Sequence, residues 1–237
     1  MSNTHDPVDA EHVMRELSRA DLHLARVIRH IGSFPTKRPK PQQPFASLLQ
    51  AIVYQQLASK AAATILGRVK ALGASGFPTP EEILALDETK LRGAGLSRQK
   101  IAAVKDLAAK TLDGTVPPLS KLRRMSEEEI HERLIQVRGI GTWSVQMFLM
   151  FRLGRPDVLP IHDLGIQKGF QIVYGHKDVP KPQFILEHGE RWRPYRSIAS
   201  WYLWRAVDEM RAKPGKVKAK ELRKKVKIKK TCGDGVE

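Results

Sequence analysis

Apolar residues recur at spacings of three and four along most of the chain, and the strict alternation that marks a strand is nearly missing. The pattern predicts an all-α protein. A first helix over about residues 9–31 places Leu17, Leu24, Val27, Ile28 and Ile31 on one face. Residues 34–41, Phe-Pro-Thr-Lys-Arg-Pro-Lys-Pro, are too rich in proline to continue it, because each proline removes a backbone donor and crowds the preceding turn. Pro44 suits a first helical position and opens PFASLLQAIVYQQL, which reads as a buried helix. Ser59 can cap the next helix, which ends near Gly73, and Thr79 can cap EEILAL. In LRGAGLSRQKIAAVKDLAAKTL the turn Arg92-Gly93-Ala94-Gly95 stands between two helices. Ser126 followed by Glu129 forms a capping box that starts another helix. Pro194 is expected to start a last helix dense in aromatics, with Trp201, Tyr202 and Trp204.

The chain is organised around residues 134–170, LIQVRGIGTWSVQMFLMFRLGRPDVLPIHDLGIQKGF. An apolar helix end (Leu134, Ile135, Val137) runs into the turn Arg138-Gly139-Ile140-Gly141, and a second helix opens at Thr142-Trp143. Two glycines around one apolar residue let the backbone reverse sharply. Such a turn leaves the first N–H groups of the next helix unpaired, where an anion such as a phosphate can sit. A loop carrying Gly154, Pro156 and Pro160 follows, and one acid, Asp163, stands at the head of a third helix. Asp163 on position alone reads as an N-cap, and helix–GxG–helix alone reads as a tight connection.

Composition narrows the partners. At 237 residues and 41% hydrophobic content the chain can bury a sizeable core. It holds no run of about 18 apolar residues that would span a membrane, and its polar N-terminus lacks the layout of a secretory signal. A single cysteine, Cys232, excludes an intramolecular disulfide and suits a reducing cytoplasm. The net charge is +16, and residues 211–230 carry 11 Lys+Arg against Glu221 alone. That excess favours a polyanion partner. The tail has few apolar residues and is expected to be disordered without such a partner.

The hairpin, Trp143 just inside the following helix, and Asp163 beyond the Gly/Pro loop together resemble the helix-hairpin-helix (HhH-GPD) DNA glycosylase superfamily, and within it the 3-methyladenine DNA glycosylase II branch. The likeness covers roughly residues 44–210 and extends to YQQLASKAA and RWRPYRSIASWYLWR. It implies two helical lobes with the DNA-binding hairpin and an active-site cleft between them. Residues 1–43 would be the N-terminal helix and its Pro/basic connection, 44–212 the glycosylase core, and 213–237 a Lys-rich flexible tail. The chain before the first helix is too short for the N-terminal β domain of some relatives.

The resemblance also implies roles. Asp163 would be the catalytic carboxylate, meeting positive charge on the sugar as the N-glycosidic bond stretches. Trp143 and Trp204 would hold the everted base, with Met147 and Leu164 beside them, because an indole face attracts an electron-poor alkylated ring. Gln55, Gln56 or Leu57 would fill the space the nucleotide leaves. Arg138, Gly139, Ile140, Gly141 and Thr142 would hold a backbone phosphate, with Na+ or K+ on the carbonyls of Val137 and Gly139. Arg92 to Gly95 reads as a degenerate second hairpin, or as a coincidental turn. No side-chain metal site is expected. One cysteine cannot hold the iron–sulfur cluster of some relatives. Trp143 stands where lyase-competent relatives carry a lysine, so no lyase activity is expected. The expected partner of the protein, acting as a monomer, is damaged double-stranded DNA, at the nucleoid or in a eukaryotic nucleus, with alkylpurines as substrates. Deaminated or oxidised bases (hypoxanthine, 8-oxoguanine) are the alternative, and a non-catalytic DNA-binding module is another.

Overall fold

The computed structural model of the protein describes residues 9–36, 42–74 and 76–212. They form thirteen α-helices, with no strand among them beyond an isolated bridge between Gly73 and Gly76. The chain divides into two compact units, one built from residues up to 36 and from 159 onward, the other from the residues between. No helix of the described residues is long and apolar enough to cross a membrane. The Lys-rich tail, Cys232 and the basic residues 37–41 lie outside the described residues.

The expected first helix is two helices. α1 (Ala10–Ala20) and α2 (Leu22–Ile31) part at Asp21, whose backbone is extended. Asp21 Oδ1 accepts from the N–H groups of His23 and Leu24, each at 3.0 Å, so it is the N-cap of α2 rather than a mid-helix residue. The apolar face survives the break: Leu17, Leu24, Val27 and Ile28 are buried.

The second unit starts at α3 (Pro44–Tyr54), opened by the expected proline. α4 (Ser59–Lys70) takes Ser59 as its first residue rather than its cap. A capping box between Thr79 and Glu82 opens α5 (Pro80–Ala85), and Asp87 caps α6 (Glu88–Gly93). α7 (Arg98–Leu112) is the platform of this unit. It buries Ile101, Val104 and Leu107 and packs against both α3 and α5. Each such side chain contributes about 1.5–3 kcal/mol of burial. α8 (Leu119–Leu122) is one turn, and the Ser126–Glu129 capping box starts α9 (Glu127–Leu134). α10 (Thr142–Phe148) runs on as one π-helical turn, Leu149–Leu153, closed by Gly154 at φ 68°.

In the first unit α11 (Leu164–Tyr174) and α13 (Arg196–Ala212) pack on each other and on α2, and α12 (Pro182–Gly189) packs on α11. Pro194 does not open α13: the Ala199 N–H bonds to the Tyr195 carbonyl at 3.0 Å, and the helix starts at Arg196, two residues past the proline. The core joins Leu17, Leu24 and Ile28 to Ile166, Phe170, Trp192, Tyr202 and Leu203. α11 and α13 lie so close that a Cβ on Gly169 would strike the Leu203 carbonyl.

Candidate active site

The hairpin is built as its glycines require. The Ile140 N–H returns to the Val137 carbonyl at 3.0 Å, and Gly139 takes φ 78° at the third position of that turn. A side chain there would also press on Ala103, whose Cβ lies 3.3 Å from the ideal Cβ position. Gly141 is the extended N-cap of α10. The Arg138 N–H is committed inside the protein, donating to Asp106 Oδ2 at 2.7 Å. Lys110 Nζ reaches both Asp106 oxygens, at 2.9 and 2.8 Å, and the Gln136 carbonyl at 2.6 Å. Burial pushes the Asp106 carboxyl up, but the Arg138 N–H and the Lys110 ammonium outweigh it and hold the group below its ordinary value. Two of the five expected hairpin amides, Arg138 and Ile140, are therefore already used. Those of Gly139, Gly141 and Thr142 have no acceptor among the described residues. His131 Nε2 stands 3.0 Å from Thr142 Oγ1.

The other glycine turn, Arg92 to Gly95, is closed on itself. The Ala94, Gly95 and Leu96 N–H groups go to the carbonyls of Lys90, Arg92 and Leu91, and Gly95 sits at φ 102°. This is a Schellman end of α6, which leaves those three amides nothing to offer a phosphate.

In the same unit as the hairpin, the turn after α3 presents Gln56 and Leu57 to solvent, with Leu57 39% exposed rather than packed in a core. Gln56 takes φ 57°, the only positive φ outside glycine among the described residues. Gln55 points another way. Its Nε2 donates to the Gly139 carbonyl at 2.8 Å and lies 3.5 Å from Ser144 Oγ. Beside this turn a cleft of about 570 Å³ is lined by Gln50, Tyr54, Gln56, Trp143, Met147 and Phe151, among others. Trp143 is 50% exposed, which core packing does not explain. Val137 and Gly139, the carbonyls assigned to a monovalent cation, each accept one internal hydrogen bond. A carbonyl oxygen has a second lone pair, so the donor set still fits such an ion.

Asp163 and Trp204 belong to the other unit and meet each other. Asp163 is the N-cap of α11, its Oδ1 accepting from the Ile166 N–H at 2.9 Å. The same oxygen accepts from Trp204 Nε1 at 2.9 Å, across from α13. The segment before it is pinned by the Asp163 N–H on the Pro160 carbonyl and Gln167 Nε2 on the Ile161 carbonyl, each at 2.9 Å. Gly165 makes the pair possible: a Cβ there would lie 2.8 Å from Trp204 Cδ1 and 2.9 Å from Asp163 Oδ1. Leu164, 58% exposed, is the first residue of α11. Trp201 packs on the core of this unit with the Arg205 guanidinium 5.7 Å from its ring centre. The structure thus brings Trp143, Met147, Gln55 and Gly139 together in one unit, and Asp163, Leu164 and Trp204 in the other. Sequence reading missed Asp106 and Lys110: their i,i+4 spacing on α7 marks an ion pair, but not the Arg138 N–H 32 residues on that it holds.

The family model for the HhH-GPD superfamily base excision DNA repair protein matches residues 49–194. DNA-3-methyladenine glycosylase 1 of Schizosaccharomyces pombe is 37% identical over 211 residues, covering 85% of this chain and 92% of that protein. The solved structure of the Schizosaccharomyces pombe 3-methyladenine DNA glycosylase (Mag1) in complex with abasic DNA aligns with a TM-score of 0.74 and 37% identity, over 82% of this chain and 95% of that one. A DNA-3-methyladenine glycosidase structure from Bacillus halodurans aligns with a TM-score of 0.77 and 32% identity, over 90% of this chain and 94% of that one.

Proposed function

The chain belongs to the HhH-GPD superfamily of base excision DNA repair proteins, and we propose that it is a monofunctional DNA glycosylase removing alkylated purines, 3-methyladenine foremost, from duplex DNA. The relatives named for that activity cover most of the chain, and one of them is solved with abasic DNA, the state such a reaction leaves behind. The observation that carries the chemistry is the Asp163–Trp204 bond at the head of α11.

A base inside a duplex has to leave the stack before its glycosidic bond can be reached. In this reading the hairpin amides of Gly139, Gly141 and Thr142 take a phosphate. A monovalent cation on the Val137 and Gly139 carbonyls would add positive charge beside it. Gln56 and Leu57 occupy the vacated space, and an indole face receives the electron-poor base, Trp204 being the one bonded to Asp163. The Ile166 and Trp204 N–H groups on one oxygen fix the Asp163 carboxylate before substrate arrives, so no reorganisation is needed as charge develops. The glycosidic bond breaks with its electron pair on the purine. Positive charge spreads over C1′ and the ring oxygen, opposite the carboxylate, and water then adds to C1′ and loses a proton. A cationic alkylpurine departs neutral and needs no acid. A lyase route needs an amine on the sugar, and the start of α10 offers Trp143 instead.

The test is excision from duplexes that each carry one defined lesion, 3-methyladenine, 7-methylguanine, hypoxanthine or 8-oxoguanine. The wild type should release the alkylpurines and leave unbroken abasic strands, and Asp163→Asn should be slower by about a hundredfold or more. Full activity in Asp163→Asn would remove the carboxylate from the mechanism. Release of hypoxanthine or 8-oxoguanine alone would shift the substrate class, and no release from any duplex would leave a DNA-binding module.

A further inference from the structure

α3 ends facing the exposed turn, and its last carbonyls have no intrahelical donor to satisfy them. Lys100, in the first turn of α7, supplies one. Its Nζ donates to the Val53 carbonyl at 2.7 Å and to the Gln55 carbonyl at 2.8 Å. An ammonium at a helix C-terminus also answers the negative end of the helix dipole. Burial pushes this ammonium below its ordinary value, as befits a charge withdrawn from water to serve two carbonyls. From the same residue, Gln55, the side-chain amide runs to the Gly139 carbonyl in the hairpin. Gln55 is thus clamped at both ends, its carbonyl by α7 and its amide by the hairpin. Next in the chain, Gln56 holds the left-handed conformation that a residue with a Cβ adopts at a cost. A short turn keeps such a conformation only when its surroundings over-determine it.

We propose that Lys100 and Gln55 are positioning residues for nucleotide eversion, holding the Gln55–Leu57 turn so that Gln56 and Leu57 enter the duplex already shaped. The inference rests on the glycosylase reading and adds a mechanism to it. A rigid turn matters only where a stacked, paired nucleotide has to be displaced. Once the nucleotide is out, the chemistry belongs to Asp163. Loosening the clamp therefore slows eversion rather than bond cleavage, and it does so without touching the reacting atoms. Gln55 is also the route by which the phosphate-holding turn and the inserting turn share one register, since its amide joins them directly.

The experiment is single-turnover release of 7-methylguanine by the full chain from two DNAs. In one the lesion is paired in a duplex; in the other it lies in an unpaired bubble, where little stacking has to be undone. Lys100→Met and Gln55→Leu should each lose about tenfold more rate on the paired duplex than on the bubble, the scale of one charge-assisted hydrogen bond. Lys100→Arg should recover much of the loss, because a guanidinium can also donate to two carbonyls. A fluorescent base analogue beside the lesion should show slower unstacking in the two loosened variants. Equal losses on both DNAs, or none on the duplex, would overturn the clamp while wild-type activity left the glycosylase reading standing. If the wild type released nothing from either DNA, that reading would fall and the clamp with it. Should Lys100→Met fail to fold, Gln55→Leu decides by itself, since it breaks the link on the solvent side of the turn.

Discussion

Two glycines four residues apart on α11 do opposite work. Gly165 leaves room for a side-chain contact: an added Cβ would sit 2.8 Å from Trp204 Cδ1 and 2.9 Å from Asp163 Oδ1, so the indole and carboxylate would have to part. Gly169 leaves room for a backbone, the Leu203 carbonyl of α13. Alanine favours a helix over glycine by up to about 1 kcal/mol, which offsets part of the strain at a site where side chains can yield. Gly165→Ala should therefore slow excision by about tenfold or more while moving the melting temperature only slightly. Gly169→Ala forces two helices apart and should cost about 1–3 kcal/mol of stability, with activity lost only as the protein unfolds. Melting curves and single-turnover rates on both variants separate the two. A stable, fully active Gly165→Ala protein would show that the Trp204–Asp163 contact is not needed for catalysis.

Among whole elements, the join between α1 and α2 is where structure and sequence differ most. Asp21 caps α2 with Oδ1, and its Oδ2 accepts from the Tyr174 hydroxyl at 2.5 Å and Trp192 Nε1 at 3.0 Å, with His188 Nε2 at 2.9 Å. Burial pushes this carboxyl up, but the bonds from His188, Tyr174, Leu24 and Trp192 prevail and hold it well below the usual carboxylate range. A folded-state value below the unfolded one means the carboxylate stabilises the fold at neutral pH, and that contribution drains away as pH falls below about 4. An uncharged amide in its place would still cap α2 but would leave the same donors facing a weaker partner. Asp21→Asn should cost about 3 kcal/mol at pH 7 and flatten the acid limb of the stability curve, measured by denaturant unfolding from pH 7 to 3. Parallel acid limbs would assign the acid sensitivity to other carboxylates.

What could be read in advance follows the range of each interaction. Gly139, the cap at Thr79, the capping box at Ser126, and Pro44 at the head of α3 all act within three or four residues, and all are legible in the sequence. Asp21 and Trp192 are 171 residues apart, Gln55 and Gly139 are 84, and Lys100 and Val53 are 47. No periodicity carries such pairings, so Asp21 passed for a helical position and Gln55 for a solvent-facing wedge candidate. The second glycine turn stays open between a hairpin and a plain connection for a related reason. Its spacing matches the hairpin, but whether a turn offers its amides or closes on them depends on backbone geometry that two glycines permit either way.

For the molecule as a whole, the net charge of +16 divides between residues 1–212 and the 25 residues beyond them. Residues 213–237 hold ten Lys+Arg and three acids, so they supply +7. The family match, residues 49–194, lies wholly within the other +9. Lysines and arginines attract phosphates regardless of base sequence or damage, and each phosphate neutralised releases counterions. A chain ending at Ala212 should therefore excise alkylpurines at the wild-type rate when enzyme saturates the DNA, yet bind more weakly at low salt. The slope of log affinity against log salt should fall by about 0.9 for every phosphate that the shortened chain leaves unneutralised. Abasic and undamaged duplexes should weaken by the same factor, because a phosphate contact carries no information about the base. A slope unchanged by truncation would take the basic tail off the DNA, and a truncation that weakened only the abasic complex would make the tail part of lesion recognition.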